Sequence, residues 1–175
     1  MPAMEVSEEG RNAKSGMLLM PKERNKAVPA SYLILRKGHE ILLMRRKGSG
    51  YYDGWYSVPA GHVEAGELPI EALLRETKEE LGIVLDKNGV RLIHAMYRTK
   101  HDETGDRVDL FFEATKWDGE ITNAEPHKCD DIKWFPLNAL PENMMHHVRE
   151  AIGDIESGVG YSELDLDRIV QNPSK

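Results

Sequence analysis

Glu76, Glu79 and Glu80 crowd one helical turn of the stretch RETKEE, and Arg75 stands immediately before them. Like charges four apart on an exposed helix repel by about 0.2–0.5 kcal/mol per pair, so the cluster needs a reason. With Ile70 at 0° and about 100° per residue, Glu79, Glu76 and Glu80 fall near ~180°, ~240° and ~280°. That band lies beside the apolar stripe of Ile70, Leu73, Leu74, Thr77 and Leu81, not opposite it. At the edge of a protein body, with an effective dielectric near 20, two carboxylates roughly 5 Å apart repel by about 3 kcal/mol. Such groups either raise one another's proton affinity or bind a cation. All-oxygen donors suit the hard ions magnesium and manganese. Arg75, four residues before Glu79, can orient a carboxylate. Just upstream, Gly61, Glu64, Gly66 and Glu67 add two carboxylates and flexible backbone. The band is either a solvated glutamate face or half of a metal site with substrate above it.

Those side chains need a scaffold, and the flanking segments supply one. VPASYLILR and EILLMRR flank Lys37-Gly38-His39, a hairpin signal. Residues 90–98 and 107–115 have strand composition around the turn-like HDETGD, and DDIKWFPL follows as another strand. The first helix starts near Pro69 and stops at Gly82, both in favourable places. A second helix carries the stripe Met145, Val148, Ile152 and Ile155 between Pro141 and Gly158. Strands outnumber helices and do not alternate with them. An α/β fold of the α+β type follows, with a mixed sheet sandwiched between helices. Residues 1–27 are polar and aperiodic and are expected to form a mobile tail, with Met17–Met20 docking on the body. The domain is expected over 28–156, with a C-terminal extension over 157–175.

Bulk properties narrow the function further. The chain has 175 residues, 40% hydrophobic and 30% charged, enough for one well-buried domain. A net charge of −7 argues against a surface that coats nucleic acid. No apolar run is long enough to cross a bilayer, and no secretory leader is evident. One cysteine, Cys129, excludes an internal disulfide and a multi-cysteine zinc site, so a cytoplasmic, reducing setting is expected. Cys129 has no evident activating partner. His146 and His147 are helix neighbours that point apart and make poor co-ligands.

Gly61, Glu67, Arg75, Glu76, Glu79, Glu80, Gly82 and Ile83 fall at the spacing of a known signature. It runs glycine, five residues, glutamate, seven residues, Arg-Glu, an aliphatic, any residue, Glu-Glu, any residue, glycine, an aliphatic. The chain resembles the Nudix hydrolases, in their MutT-like pyrophosphohydrolase subgroup. Two positions depart. Thr77 stands where an aliphatic is usual, with a small packing cost expected, and Ala60 replaces a glycine common before the signature.

The resemblance implies a Nudix fold and hydrolysis of a nucleoside diphosphate linked to another moiety. It implies Mg2+ or Mn2+ as cofactor, held by Glu76, Glu79, Glu80 and the Gly61 carbonyl. Glu76 is then the first choice of base, Arg75 its orienting partner, and Glu67 a secondary ligand, a group acting through water or a contact on the substrate side. In some members a late-loop glutamate joins the metal, and Glu125 holds that place here, or is a plain surface residue. By the same resemblance Arg46, with Arg45 beside it, is a candidate phosphate contact, or a solvated strand end. Tyr51, Tyr52 and Trp55 offer faces on which a base stacks, although Trp55 is expected in the core.

Branch marks sharpen the substrate by elimination. The proline of the ADP-ribose branch is missing between Ile83 and Glu125, and so is the proline-rich aromatic run of the NADH branch. The resemblance is then closest to members that cleave nucleoside triphosphates, ordinary or oxidised, to monophosphate and pyrophosphate. The alternatives are a catalytically silent nucleotide or sugar-nucleotide sensor and a hydrolase of nucleotide sugars or dinucleotides. An isoprenoid-diphosphate isomerase ranks last, because Cys129 lies far past the signature. The expected partner is a small nucleotide, with no stable nucleic-acid or membrane partner, and a homodimer is common among such proteins.

Overall fold

A hairpin opens the fold. Strands β1 (Ala27–Lys37) and β2 (Glu40–Arg46) pair antiparallel with Lys37 opposite Glu40, so Gly38 and His39 form the turn. Gly38 has φ 61°, a conformation that glycine adopts without a Cβ clash. This computed structural model describes residues 24–99 and 105–165. Most of the expected N-terminal tail, its Met17–Met20 docking segment, most of the HDETGD turn and the last part of the C-terminal extension lie outside those residues.

The remaining elements are β3 (Tyr56–Ser57), β4 (Ala60–His62), α1 (Pro69–Leu81), β5 (Val84–Leu85), β6 (Val90–Thr99) and β7 (Asp106–Ala114). They continue with β8 (Trp117–Asp118), β9 (Cys129–Pro136), α2 (His146–Glu156) and β10 (Tyr161–Asp165). Strand β1 is the shared member. Along one part it lies between β4, antiparallel, and β7, parallel, with β6 and then β10 beyond. Its far end pairs with β2, which also carries β3 and β9. The sheet is therefore mixed, as expected.

Side-chain alternation in β1 sorts the core. Ala30, Tyr32 and Ile34 pack with Val148, Ala151 and Ile152 of α2. Leu33 and Leu35 pack with Leu73 and Leu81 of α1. Each helix covers one face, which matches the sandwich expected from the sequence. The stripe of α1 is as foreseen, with Ala72 added to the buried Leu73, Thr77 and Leu81. Glu71 accepts from the Leu68 amide at 3.0 Å, Gly82 ends the helix at φ 70°, and Ser31 donates to the Pro69 carbonyl at 2.7 Å. That last bond ties the start of α1 to β1. Among the described residues no helix is long and apolar enough to cross a membrane.

One feature contradicts the sequence reading, the place of Trp55, and two others were not foreseen in it. Residues 161–165, assigned to the extension, form β10 and pair parallel with β6 from Tyr161 opposite Ala95 to Asp165 opposite Thr99. YSELD carries too few apolar residues to signal a strand, because β10 takes the last place in the sheet order. Trp55 is not core: it is 39% exposed, on a loop where Tyr52 meets it edge-on at 5.7 Å. His147, discounted as a ligand, is buried on α2.

Thr77 is buried as expected, at 1% exposure, but its hydroxyl finds no hydrogen-bond partner among the described residues. A buried orphan hydroxyl costs about 1–3 kcal/mol. Replacing Thr77 with the isosteric Val should stabilise the fold by about 1 kcal/mol, read as a raised midpoint in chemical denaturation. An unchanged or lowered midpoint would show that the hydroxyl is satisfied.

Candidate active site

Arg75 organises the acidic turn. Its Nε and Nη2 donate to the two oxygens of Glu67 at 2.9 and 3.0 Å, a bidentate pair. Its Nη1 donates to Glu76 Oε1 at 2.6 Å, its Nη2 also reaches the His62 carbonyl at 3.2 Å, and Glu79 lies 3.6 Å away. One guanidinium thus joins the loop after β4 to α1. Hydrogen bonds from Arg75 hold the Glu67 carboxyl below its usual range, and those carboxylates keep Arg75 firmly charged.

Glu67, expected as a secondary ligand, as acting through water or as a contact on the substrate side, does not border the cavity. It accepts from Arg75 and from the Glu64 amide at 3.0 Å, so its place is behind Arg75.

Gly61 lets the Glu76 side chain approach the backbone closely. A Cβ there would fall 2.2 Å from Glu76 Cγ and 1.9 Å from its Cδ. The Glu76 carboxylate occupies the space that any side chain at 61 would need. Glu80 projects from the next turn and accepts from the Ala60 amide at 3.1 Å. Burial, then the nearby Glu76 charge, pushes its carboxyl up to about 8. The Ala60 amide works in the opposite direction and loses.

The loop after β8 brings in Glu125. The Thr122 amide donates to the Leu81 carbonyl and the Ala124 amide to the Glu80 carbonyl, both at 3.0 Å. These bonds satisfy carbonyls at the end of α1 and dock the loop beside Glu80. Glu125 then receives Lys128 Nζ at 2.7 Å.

Glu76, Glu80, Glu125 and Gly61 all border one cavity of about 460 Å³. Arg45, Arg46 and Lys128 border it as well. Glu79 does not; half exposed, it is the outermost of the three clustered glutamates. Among the described residues, no three carboxylate, imidazole or thiolate groups are already gathered as a metal site. Glu76 is turned toward Arg75 and Glu80 toward Ala60.

Arg46 is neither a free strand end nor simply open to the cavity. Its Nε donates to the Tyr51 carbonyl at 2.9 Å and its Nη2 to Ser49 Oγ at 3.1 Å. The guanidinium also lies 5.7 Å from the Tyr51 ring centre. Arg45 pairs with Asp130 at 2.7 Å. Tyr51 borders the cavity, whereas Tyr52 does not. Tyr52 has φ 53°, unusual for a bulky residue, and packs edge-on between Tyr51 and Trp55.

The inner end of the cavity holds residues that the sequence patterns did not single out. Arg98 on β6 and Asp109 on β7 are 4% and 0% exposed. Arg98 pairs with Asp109 through Nε and, at 3.2 Å, through Nη2. Removing either partner of such a pair costs about 3–5 kcal/mol. The Tyr32 hydroxyl lies 3.4 Å from His147 Nε2, and burial followed by the Arg98 charge keeps that imidazole neutral. The signal was present: period 2 puts Arg98 on the face of Met96, and Asp109 on the face of Phe111. Cys129 also borders the cavity, where burial pushes its thiol up, consistent with no nucleophilic role.

Sequence comparison matches residues 25–153 to the NUDIX domain. An ADP-ribose pyrophosphatase from Methanocaldococcus jannaschii is 31% identical over 115 residues, 65% of this chain and 64% of that protein. An NAD-capped RNA hydrolase, NudC, from Chromobacterium violaceum is 29% identical over 165 residues, 89% of this chain and 57% of that protein. The chain thus spans less than two thirds of either curated relative. A crystallised MutT NUDIX hydrolase from Burkholderia pseudomallei superposes with a TM-score of 0.66 at 27% identity, over 73% of this chain and 97% of that one.

Two outcomes test this geometry. Gly61→Ala should displace the Glu76 carboxylate with the fold intact, seen as an unchanged circular dichroism spectrum and a shifted Glu76 side chain in a crystal structure. An undisturbed Glu76 would refute the close approach. Glu80 supplies a pH test. Its folded-state value of about 8 lies above the ordinary 4.5, so the folded protein keeps this proton longer than the unfolded chain. Stability of the metal-free protein should therefore fall as pH rises from 4.5 to 8. Glu80→Gln should flatten that decline in denaturation midpoints, and an equally steep decline would rule Glu80 out as its source.

Proposed function

Because the chain belongs to the NUDIX domain family, we propose that it hydrolyses a nucleoside diphosphate linked to another moiety. The observation that carries this reading is one cavity bordered by Gly61, Glu76 and Glu80 together with Arg45, Arg46 and Lys128. Carboxylates and a backbone carbonyl on one side, cations on the other, suit a metal-bound diphosphate. A silent sensor is disfavoured because every signature glutamate is present.

The donors fit magnesium or manganese. They are all oxygen, and a carboxyl as reluctant to ionise as Glu80 gains most from a cation beside it. Gly61, Glu76, Glu80 and Glu125 would hold the ion from the cavity wall, and Glu79, outside that wall in this structure, would join them by turning inward from Arg75. Bound there, it would neutralise phosphate oxygens and make a water more acidic. Glu76 accepts the proton of the attacking water, and Arg75 holds that carboxylate in place. Arg75 is in turn fixed by Glu67, so Glu67 is a positioning residue. Arg45 and Arg46 meet phosphate oxygens. Tyr51 takes the stacking role in place of Tyr52, because Tyr51 borders the cavity.

For the linked moiety, the branch marks favour a nucleoside triphosphate cleaved to monophosphate and pyrophosphate. The names of the two curated relatives favour ADP-ribose or an NAD-type dinucleotide instead. Turnover of a panel of triphosphates, ADP-ribose and NADH, read as release of pyrophosphate and nucleoside monophosphate, decides between them. Activity should need Mg2+ or Mn2+ and vanish with a chelator. Glu76→Gln should lower kcat by about 10²–10⁴-fold while nucleotide binding persists. Tight binding of one nucleotide with no turnover of any would identify a sensor.

A further inference from the structure

The inner end of the cavity differs from the outer end in burial: Arg98 is 4% exposed, whereas the Arg45 and Lys128 side chains are 37% and 59% exposed. At the outer end Arg45, Arg46 and Lys128 supply cations for phosphate. At the inner end Arg98 is already balanced by Asp109, and His147 is kept neutral by burial. Arg107 also borders the cavity as a cation, its Nη1 donating to the Gly105 and Asp106 carbonyls at 2.6 and 3.2 Å. A planar group that can be enclosed and that offers acceptors suits this buried end.

Arg98 sets which group. A guanidinium has five N–H donors, and side-on pairing through Nε and Nη2 spends two of them on Asp109. The edge formed by Nη1 and Nη2 keeps a second fork of parallel donors, and Arg98 borders the cavity. Such a fork matches the adjacent O6 and N7 acceptors of guanine. Adenine presents an amino donor in place of O6, which sets donor against donor.

Spacing agrees. From β4, which carries Gly61, the sheet runs through β1 and β7 to β6, which carries Arg98. Three strand spacings are about 14 Å, and the Arg98 side chain reaches back across part of that distance. A nucleoside fits between the acidic turn and the guanidinium, with Tyr51 bordering the same space.

We infer that Arg98, held by Asp109, is a specificity-determining residue that selects a 6-oxopurine over adenine. The inference rests on the proposed nucleotide-binding role of this cavity, but it does not require turnover. Calorimetric titration of the metal-free full chain with GMP, IMP, AMP and 7-deaza-GMP tests it. GMP and IMP should bind about tenfold or more tightly than AMP, and 7-deaza-GMP, which lacks N7, about tenfold more weakly than GMP. Arg98→Lys keeps a cation opposite Asp109 but removes the fork, and should erase the preference. Should that variant fail to fold, the 7-deaza comparison decides alone. Equal binding of AMP and GMP, no loss with 7-deaza-GMP, a folded Arg98→Lys that still discriminates, or no binding of any of the four would overturn the inference. If the preference holds while no substrate turns over, only the hydrolase reading falls.

Discussion

The site depends on one guanidinium. Arg75 holds Glu67 with two hydrogen bonds, Glu76 with one and the His62 carbonyl with another. Without it the loop after β4 and the helix α1 would meet as two acidic surfaces, and their carboxylates would repel. With it, Glu76 is drawn over Gly61, into space that only a glycine leaves open. The glycine and the arginine are thus parts of one constraint: the first provides room, the second fills it with a fixed carboxylate. Glu80 is then left on the cavity side, where burial and its neighbour make ionisation costly.

The frame behind that constraint is β1. Its alternating side chains feed both core clusters, and its hydrogen bonds reach β4 on one side and β7 on the other. The same strand therefore sets Gly61 against α1 and fixes the distance to Arg98. Serine 31 adds a direct bond from this strand to the first turn of α1. Backbone pairing sets Gly61 and Arg98 within one sheet, α1 adds Glu76 and Glu80, and the loop after β8 adds Glu125 and Lys128.

Much of this was legible in the sequence, for definite reasons. Helix α1 could be read from Pro69, Gly82 and a strong 3.6-residue stripe, and the first hairpin from Gly38 between two apolar runs. The acidic band could be read because helical spacing fixes angles. Loop geometry could not. Whether Glu67 faces the cavity or Arg75 depends on how residues 62–66 turn, which periodicity does not encode. Trp55 looked like core by size alone, yet glycines at positive φ around it keep the loop out on the surface. Strand β10 stayed hidden because its pairing with β6 is long-range and its residues are polar. Arg98 and Asp109 left a partial signal, opposite charges on the strand faces of Met96 and Phe111. Their partnership emerged only once the register of β6 and β7 was known.

Arg46 carries a consequence for how the cavity mouth responds to anions. Its amide meets the Trp55 carbonyl, its carbonyl receives the Gly54 amide, and its side chain grips Tyr51 and Ser49. Arg46 is one of several holds on the segment from 47 to 55, with the Lys128 carbonyl on the Lys47 amide, Asn143 on the Gly54 carbonyl and Asp53 on Ser49 and Gly50. An incoming anion that recruits the Arg46 N–H groups takes them from the segment, so capture and rim order compete for the same donors. The Tyr51 carbonyl and Ser49 hydroxyl would then have to find other donors, so binding at the mouth and the shape of its rim are coupled.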